Sequence, residues 1–320
     1  MAHVSREQLE AHLSKITARN RDPLVGVYGP DSLTWKTTKE ALLFLGGGRA
    51  ILLQMAHPFV AYAVDQHSTT RNDPQGRFRR TFEGIHSILF GDLETALRSA
   101  RRIHALHETI KGKIPERIGP FDETTSYDAN QEDALLWVFA TLADTTVRIY
   151  ETVLHPLSLE EKNRFWEEAK LFGYLFGIPD SVMPPDWPSF EEYNRKMWDS
   201  AVLTPSRPAK EIAGLLFQGR NFLVDPVLKW YRLMTAGFLP ERIREGYGLS
   251  FGRGQRVVFN ASLGALRLVW PRLPARLRYL PAYVEARRRL KGLPPHDGFG
   301  RLAEKSVIAV LAKRPEAKGG

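Results

Sequence analysis

Apolar residues recur at helical spacing along nearly the whole chain, and strict alternation over the length of a strand is hard to find. The pattern predicts an all-α fold. Gln131 to Thr152 is the strongest core segment, with Leu135, Leu136, Val138, Phe139, Leu142, Val147 and Tyr150. Ser158 with Glu161 three residues on predicts a capping box opening a helix to Phe176, because the serine can cap while the glutamate reaches back. Asp31-Ser32 with Thr34 reads as the start of a first core helix, interrupted by Gly46-Gly47-Gly48 and resumed over Arg49 to Met55. His57-Pro58 begins another helix through about His67, since proline is accommodated in a first turn. Ser68 to Asp73 is turn-like, Pro74 to Leu89 is helical, and Gly91-Asp92 leads into a long helix ending near Gly112. Lys113 to Asn130 and Ile178 to Pro188 read as loops. Further helices are expected near 189–202, 208–219, 225–236, 240–246, 256–268 and 276–291.

With 320 residues, 43% of them hydrophobic, the chain can bury a full core, and no linker or repeat divides it. The expected organisation is one domain: a helical N-terminal extension (1–24), a helical core (25–270), a basic helical C-terminal region packed on it (271–312) and a flexible tail (313–320). The absence of cysteine excludes disulfides, thiolate metal sites and a thiolate-ligated haem, so any metal must use nitrogen or oxygen ligands. The first residues lack a secretory layout, which points to a cytoplasmic protein. Ala41 to Val64 approaches membrane length, but Arg49, His57, Pro58 and the glycines break it into two buried helices.

The formal charge of +9 is concentrated late, where ten basic residues from Arg253 to Lys291 face only Glu285. Uneven placement argues against a nucleic-acid partner. Trp270, Tyr279 and Tyr283 in the same stretch suit peripheral contact of 253–291 with an anionic membrane, or shielding of an apolar substrate entrance; an ordinary solvated basic face is the plainer reading.

His57, His67, His86, His104, His107 and His155 fall in the first half of the chain. A helical imidazole can bind iron in a slot between helices. His104 and His107, three residues apart, emerge on neighbouring faces of one helix, and Arg98, Arg101, Arg102 and Lys111 there could meet cofactor carboxylates. Arg77 and Thr81, one turn apart, make a second anion clamp. Glu83-x-x-His86 offers a competing non-haem iron pair, although a di-iron site needs a second such pair and none is found.

Taken in order, several motifs resemble the MpaB-like/latex-clearing-protein (rubber oxygenase) superfamily over about 25–270. They are Gly47-Gly-Arg-Ala-Ile-Leu-Leu-Gln-Met-Ala-His57-Pro, His67-Ser, Arg77-x-x-x-Thr81, Phe90-Gly-Asp, His107-x-x-Ile-x-Gly112, and Tyr127-x-Ala with Leu136-Trp-Val-Phe-Ala-Thr-Leu-x-Asp144. The resemblance implies a globin-like helical core holding haem b, with dioxygen used to cleave a carbon–carbon double bond of an apolar, isoprenoid-like substrate. It puts the iron ligand on His107, the cofactor-edge pair on Arg77 and Thr81, and pocket positions at His57 and His67. Rubber oxygenases carry a lysine before the threonine; Arg80 stands there in this chain and cannot deprotonate to ligate iron. Phe139 replaces a histidine found in many relatives, and Asp65 is the candidate base. His57, His67 or Arg80 would then supply hydrogen bonds on the dioxygen side. The rival readings are the Glu83/His86 iron enzyme and a non-catalytic haem or lipid carrier.

Overall fold

The structure, a computed structural model, describes residues 2–67, 74–217 and 225–294, and only the backbone of 74–79. Helices dominate, as the periodicity requires. The first six are α1 (Arg6–Arg19), α2 (Leu33–Thr38), α3 (Phe44–Met55), α4 (Pro58–His67), α5 (Pro74–Phe90) and α6 (Leu93–Glu108). A short antiparallel pair follows, β1 (Lys111–Lys113) with β2 (Ser126–Asp128), registering Gly112 against Tyr127. Then come α7 (Glu132–Val153), α8 (Leu159–Leu175), α9 (Trp187–Asp199), α10 (Arg207–Phe217), α11 (Asp225–Phe238), α12 (Glu241–Gly246), α13 (Arg253–Val269), α14 (Ala275–Arg278) and α15 (Pro281–Arg289). The capping box at Ser158 is present. The expected tail, and the turn-like Ser68–Asp73, lie outside the described residues. Among the described residues, no helix is long and apolar enough to cross a membrane.

At the centre, α3 packs between α7 and α11. The glycine triplet does not interrupt α3, contrary to the sequence expectation; it lets neighbours approach. A Cβ on Gly46 would sit 2.4 Å from the Thr145 methyl, and one on Gly48 would sit 2.3 Å from the Thr235 hydroxyl oxygen. The Tyr231 hydroxyl enters the first turn of α3, accepting from the Gly48 N–H (2.6 Å) and donating to the Phe44 carbonyl (3.0 Å). One turn later lies Arg49, 0% exposed. Its guanidinium pairs with Asp144 of α7 (2.5 Å) and donates to the Thr145 hydroxyl (2.6 Å) and to the Phe238 carbonyl of α11 (3.0 Å).

The break in the first core helix falls instead at Lys39–Glu40. Glu40 is extended and buried, accepting from Arg278 (2.6 and 3.1 Å) and from the Trp270 indole (2.9 Å), while the Lys39 carbonyl accepts from the Leu280 N–H (2.8 Å). The same contact splits the helix expected over 276–291, because the backbone pairs laterally at Tyr279–Leu280 and Pro281 has no N–H to continue a helical ladder. The α6 helix stops at Glu108 rather than near Gly112, because residues 111–113 pair with β2 inside the stretch expected to be a plain loop. At the N-terminus, Leu9, Leu13 and Ile16 of α1 are buried, with the helix packed on α8 and α6.

Replacing Arg49 with Met should lower unfolding stability by about 3 kcal/mol, because Asp144 loses its buried partner and keeps only the exposed Arg148, 3.7 Å away. Adding Asp144→Asn should recover part of that loss. Urea unfolding of the two variants measures both, and equal stability of Arg49→Met and the native chain would contradict the assignment.

Candidate functional site

The α5 and α6 helices form an antiparallel hairpin joined at Gly91-Asp92, with the Asp92 carboxylate capping α6 at the Thr95 N–H (2.7 Å). Rising ~1.5 Å per residue, Arg77 and His107 both lie at the end of the hairpin remote from its turn. Arg80 and Thr81 are one turn closer to it on α5 and are exposed; the Arg77 side chain lies outside the described residues. His107 is half-buried, its ring 6.5 Å from that of Phe176 at the end of α8.

The last residue of α4 reaches the same end. His67 Nε2 lies 3.0 Å from the Lys111 carbonyl, four residues past His107, and a carbonyl partner requires that nitrogen to carry the proton. The end of α4 and the end of α6 therefore meet, placing His67 and His107 at the end of the hairpin where α5 begins and where Arg77 stands, with Arg80 and Thr81 one turn further along α5. Asp65, half-buried on α4, adds a negative charge that helps raise the Tyr127 phenol to about 12, with burial as the larger cause.

His57 is elsewhere. It precedes α4 and is about 15 Å from His67 along the helix. It is 2% exposed and packs against Phe59 (5.0 Å) and Phe121 (5.9 Å), with Nδ1 accepting from the Phe59 N–H (3.2 Å). Burial lowers its pKa to about 4 against the opposing pull of Asp133. His86 is likewise held near 4 by burial, with Phe82 and Phe90 on either side. Both are therefore uncharged imidazoles at neutral pH.

The other sequence candidates are committed to different work. His104, 4% exposed, has no hydrogen-bond partner at either ring nitrogen and stands 3.7 Å from Glu108, with His3, Arg6 and Asp128 close enough to influence its charge. It is enclosed beneath the N-terminal segment. Three cations considered for cofactor carboxylates already have acidic partners: Arg98 with Glu94 (2.6 Å), Arg101 with Glu10 (2.8 Å) and Lys111 with Asp128 (2.9 Å). Among the described residues, no three His, Asp or Glu side chains are grouped to hold a metal ion, so Glu83 and His86 acquire no further ligand there. A histidine ligand for a haem iron needs no such group, and the half-buried imidazole of His107 is of the kind that could serve.

The sequence motifs also contain residues whose work is steric. Gly112 faces the buried Tyr127, whose hydroxyl donates to Gln66 of α4 (2.6 Å); a Cβ on Gly112 would lie 2.5 Å from that hydroxyl. Tyr62 of α4 donates to Glu116 in the connection between the strands. These contacts hold α4 against the strand pair.

Residues 35–268 match the model of a family described as the ER-bound oxygenase mpaB/B'/rubber oxygenase catalytic domain. The chain belongs to this family. The mpaB/rubber oxygenase match contains every residue gathered at the α4–α5–α6 end, together with Arg49, Tyr127 and Asp144. Two similar proteins, one from Mycobacterium bovis and one from Mycobacterium tuberculosis, both named only as uncharacterized, are each 24% identical over 237 residues, 71% of this chain and 88% of theirs. No solved structure matches.

The buried neutral histidines set an acid limb. Between the ordinary value of 6.5 and about 4, the unfolded chain takes up protons that folded His57 and His86 refuse. Stability should therefore fall as pH drops through that window, by at most about 1.4 kcal/mol per pH unit for each histidine. Denaturant midpoints measured from pH 7 to 4 should show a shallower fall in His57→Gln, and an unchanged slope would refute the assignment.

Proposed function

We propose that this protein is a haem b-dependent oxygenase that uses dioxygen to cleave a carbon–carbon double bond in an apolar substrate of isoprenoid or unsaturated-lipid type. The reading rests on the placement of His107 and Arg77 at the end of the α5–α6 hairpin remote from its turn, beside the end of α4, with Arg80 and Thr81 one turn further along α5. Membership of the mpaB/rubber oxygenase family supports the oxygenase chemistry.

His107 would hold the iron through a neutral imidazole, and Arg77 and Thr81 would bind carboxylates at the cofactor edge. Haem iron supplies the activation of dioxygen. Arg80 is a permanent cation, so it can orient or neutralise an anion but cannot compete for iron. His67 keeps its proton on Nε2, held by the Lys111 carbonyl. Asp65, two residues earlier on α4, is the candidate base. His57, distant along α4 and surrounded by aromatic rings, is suited to lining an apolar passage rather than exchanging protons at neutral pH.

The purified protein should show an intense absorption band at about 400 nm with one iron per chain, as haem proteins do. His107→Ala should lose the band, while His104→Ala should retain it; the reverse would move the ligand by one turn of α6. Stoichiometric iron without the band would favour the Glu83/His86 reading. A haem protein whose reduced form binds carbon monoxide but consumes no dioxygen with unsaturated isoprenoids or lipids would be a carrier.

A further inference from the structure

The α13 helix is apolar on two opposite sides. Its inner side is satisfied: Leu263 is buried, Phe259 packs on Phe238 (5.1 Å) and Phe251 (5.5 Å), and the Ser262 hydroxyl accepts from the Trp230 indole (3.0 Å). At about 3.6 residues per turn, the side turned away from the protein carries Val257, Ala261, Gly264, Ala265 and Leu268, with Val258 and Val269 along one margin. All of them are exposed, Val257 by 69% and Leu268 by 60%. A helix that only covered a core would be polar there.

Charge identifies the occupant. Arg253 and Arg256 border the start of this stripe and Arg272 and Arg276 lie just beyond its end, all four exposed. No Asp or Glu occurs between Arg253 and Val284. A second copy of the chain would set these cations against their own kind. A nucleic acid would answer the arginines but leave the valines and leucine wet. A sheet of anionic phospholipid satisfies both, since acyl chains take the apolar stripe while arginines reach headgroup phosphates with their alkyl stems along the boundary.

We propose that α13 docks in the plane of an anionic phospholipid surface, with the Val257–Val269 stripe among the acyl chains and the flanking arginines among the headgroups. This surface is separate from the haem assignment, and its test reads no activity. Full-length protein should float with vesicles of phosphatidylcholine plus phosphatidylglycerol about tenfold better than with phosphatidylcholine alone, and less well as salt rises. Val257→Asp with Leu268→Asp should abolish flotation, and Arg253→Gln with Arg256→Gln should weaken it by about fivefold per arginine. Both double variants should keep the native melting temperature, because the altered side chains are exposed.

Failure of the native protein to float overturns the proposal, as does undiminished flotation of the aspartate variant. So does a lipid-free dimer, seen by sedimentation, that the aspartate variant alone dissolves while the native chain ignores vesicles; that result assigns the face to a second copy. Flotation retained by the aspartate variant but lost on removing 295–320 also overturns it, by moving lipid contact to that segment.

Discussion

The buried ion pair between Arg49 and Asp144 is the constraint around which the helices are arranged. A guanidinium with no exposure is tolerable only if its charge and its donors are answered, and here α7 supplies the carboxylate and a hydroxyl while α11 supplies a carbonyl. Those three answers fix the relative positions of α3, α7 and α11. They also require close approach, which the glycines preceding Arg49 permit. The glycine triplet and the arginine are therefore two parts of one device, the first removing bulk so that the second can be surrounded.

From that seam outward, the positions of the candidate residues follow. The α4 helix continues from α3 after a turn at His57, and the strand pair braces it through Tyr62, Gln66, Tyr127 and Gly112. Bracing brings His67 to Lys111 and so to the end of α6. His67 and His107 come from helix ends, and both are less enclosed than Arg49.

Much of the helical layout was legible in the sequence because amphipathic spacing and caps are local signals: the Ser158 box, the proline opening α4 and the core face of α7 needed no distant partner. What escaped reading depended on contacts far apart in the chain. Glu40 breaks a helix because Arg278 and Trp270 lie beside it, and three residues leave a loop for a strand because Tyr127 faces Gly112. The pairing of Arg49 with Asp144 left a signal, a single charge within each of two otherwise apolar stretches. Nothing local in either stretch said that the two charges would meet. For the candidate site, the ordered motifs named the residues, while only the hairpin geometry separated His57 from the end that holds His67 and His107. His104 and His107 look equivalent as letters; burial beneath the N-terminal segment distinguishes them.

The tie at Glu40 has a mechanical side. Arg267 donates to the Thr152 carbonyl near the end of α7 (2.6 Å), and Trp270 and Arg278 both grip Glu40, so α13 and α14 are fastened at several points to the oldest-laid part of the chain and to the central helix. Such a fastening leaves no swivel. Anything that holds α13 would hold the whole body at one fixed tilt, and the far end of the α5–α6 hairpin would keep a constant bearing toward whatever lies beyond.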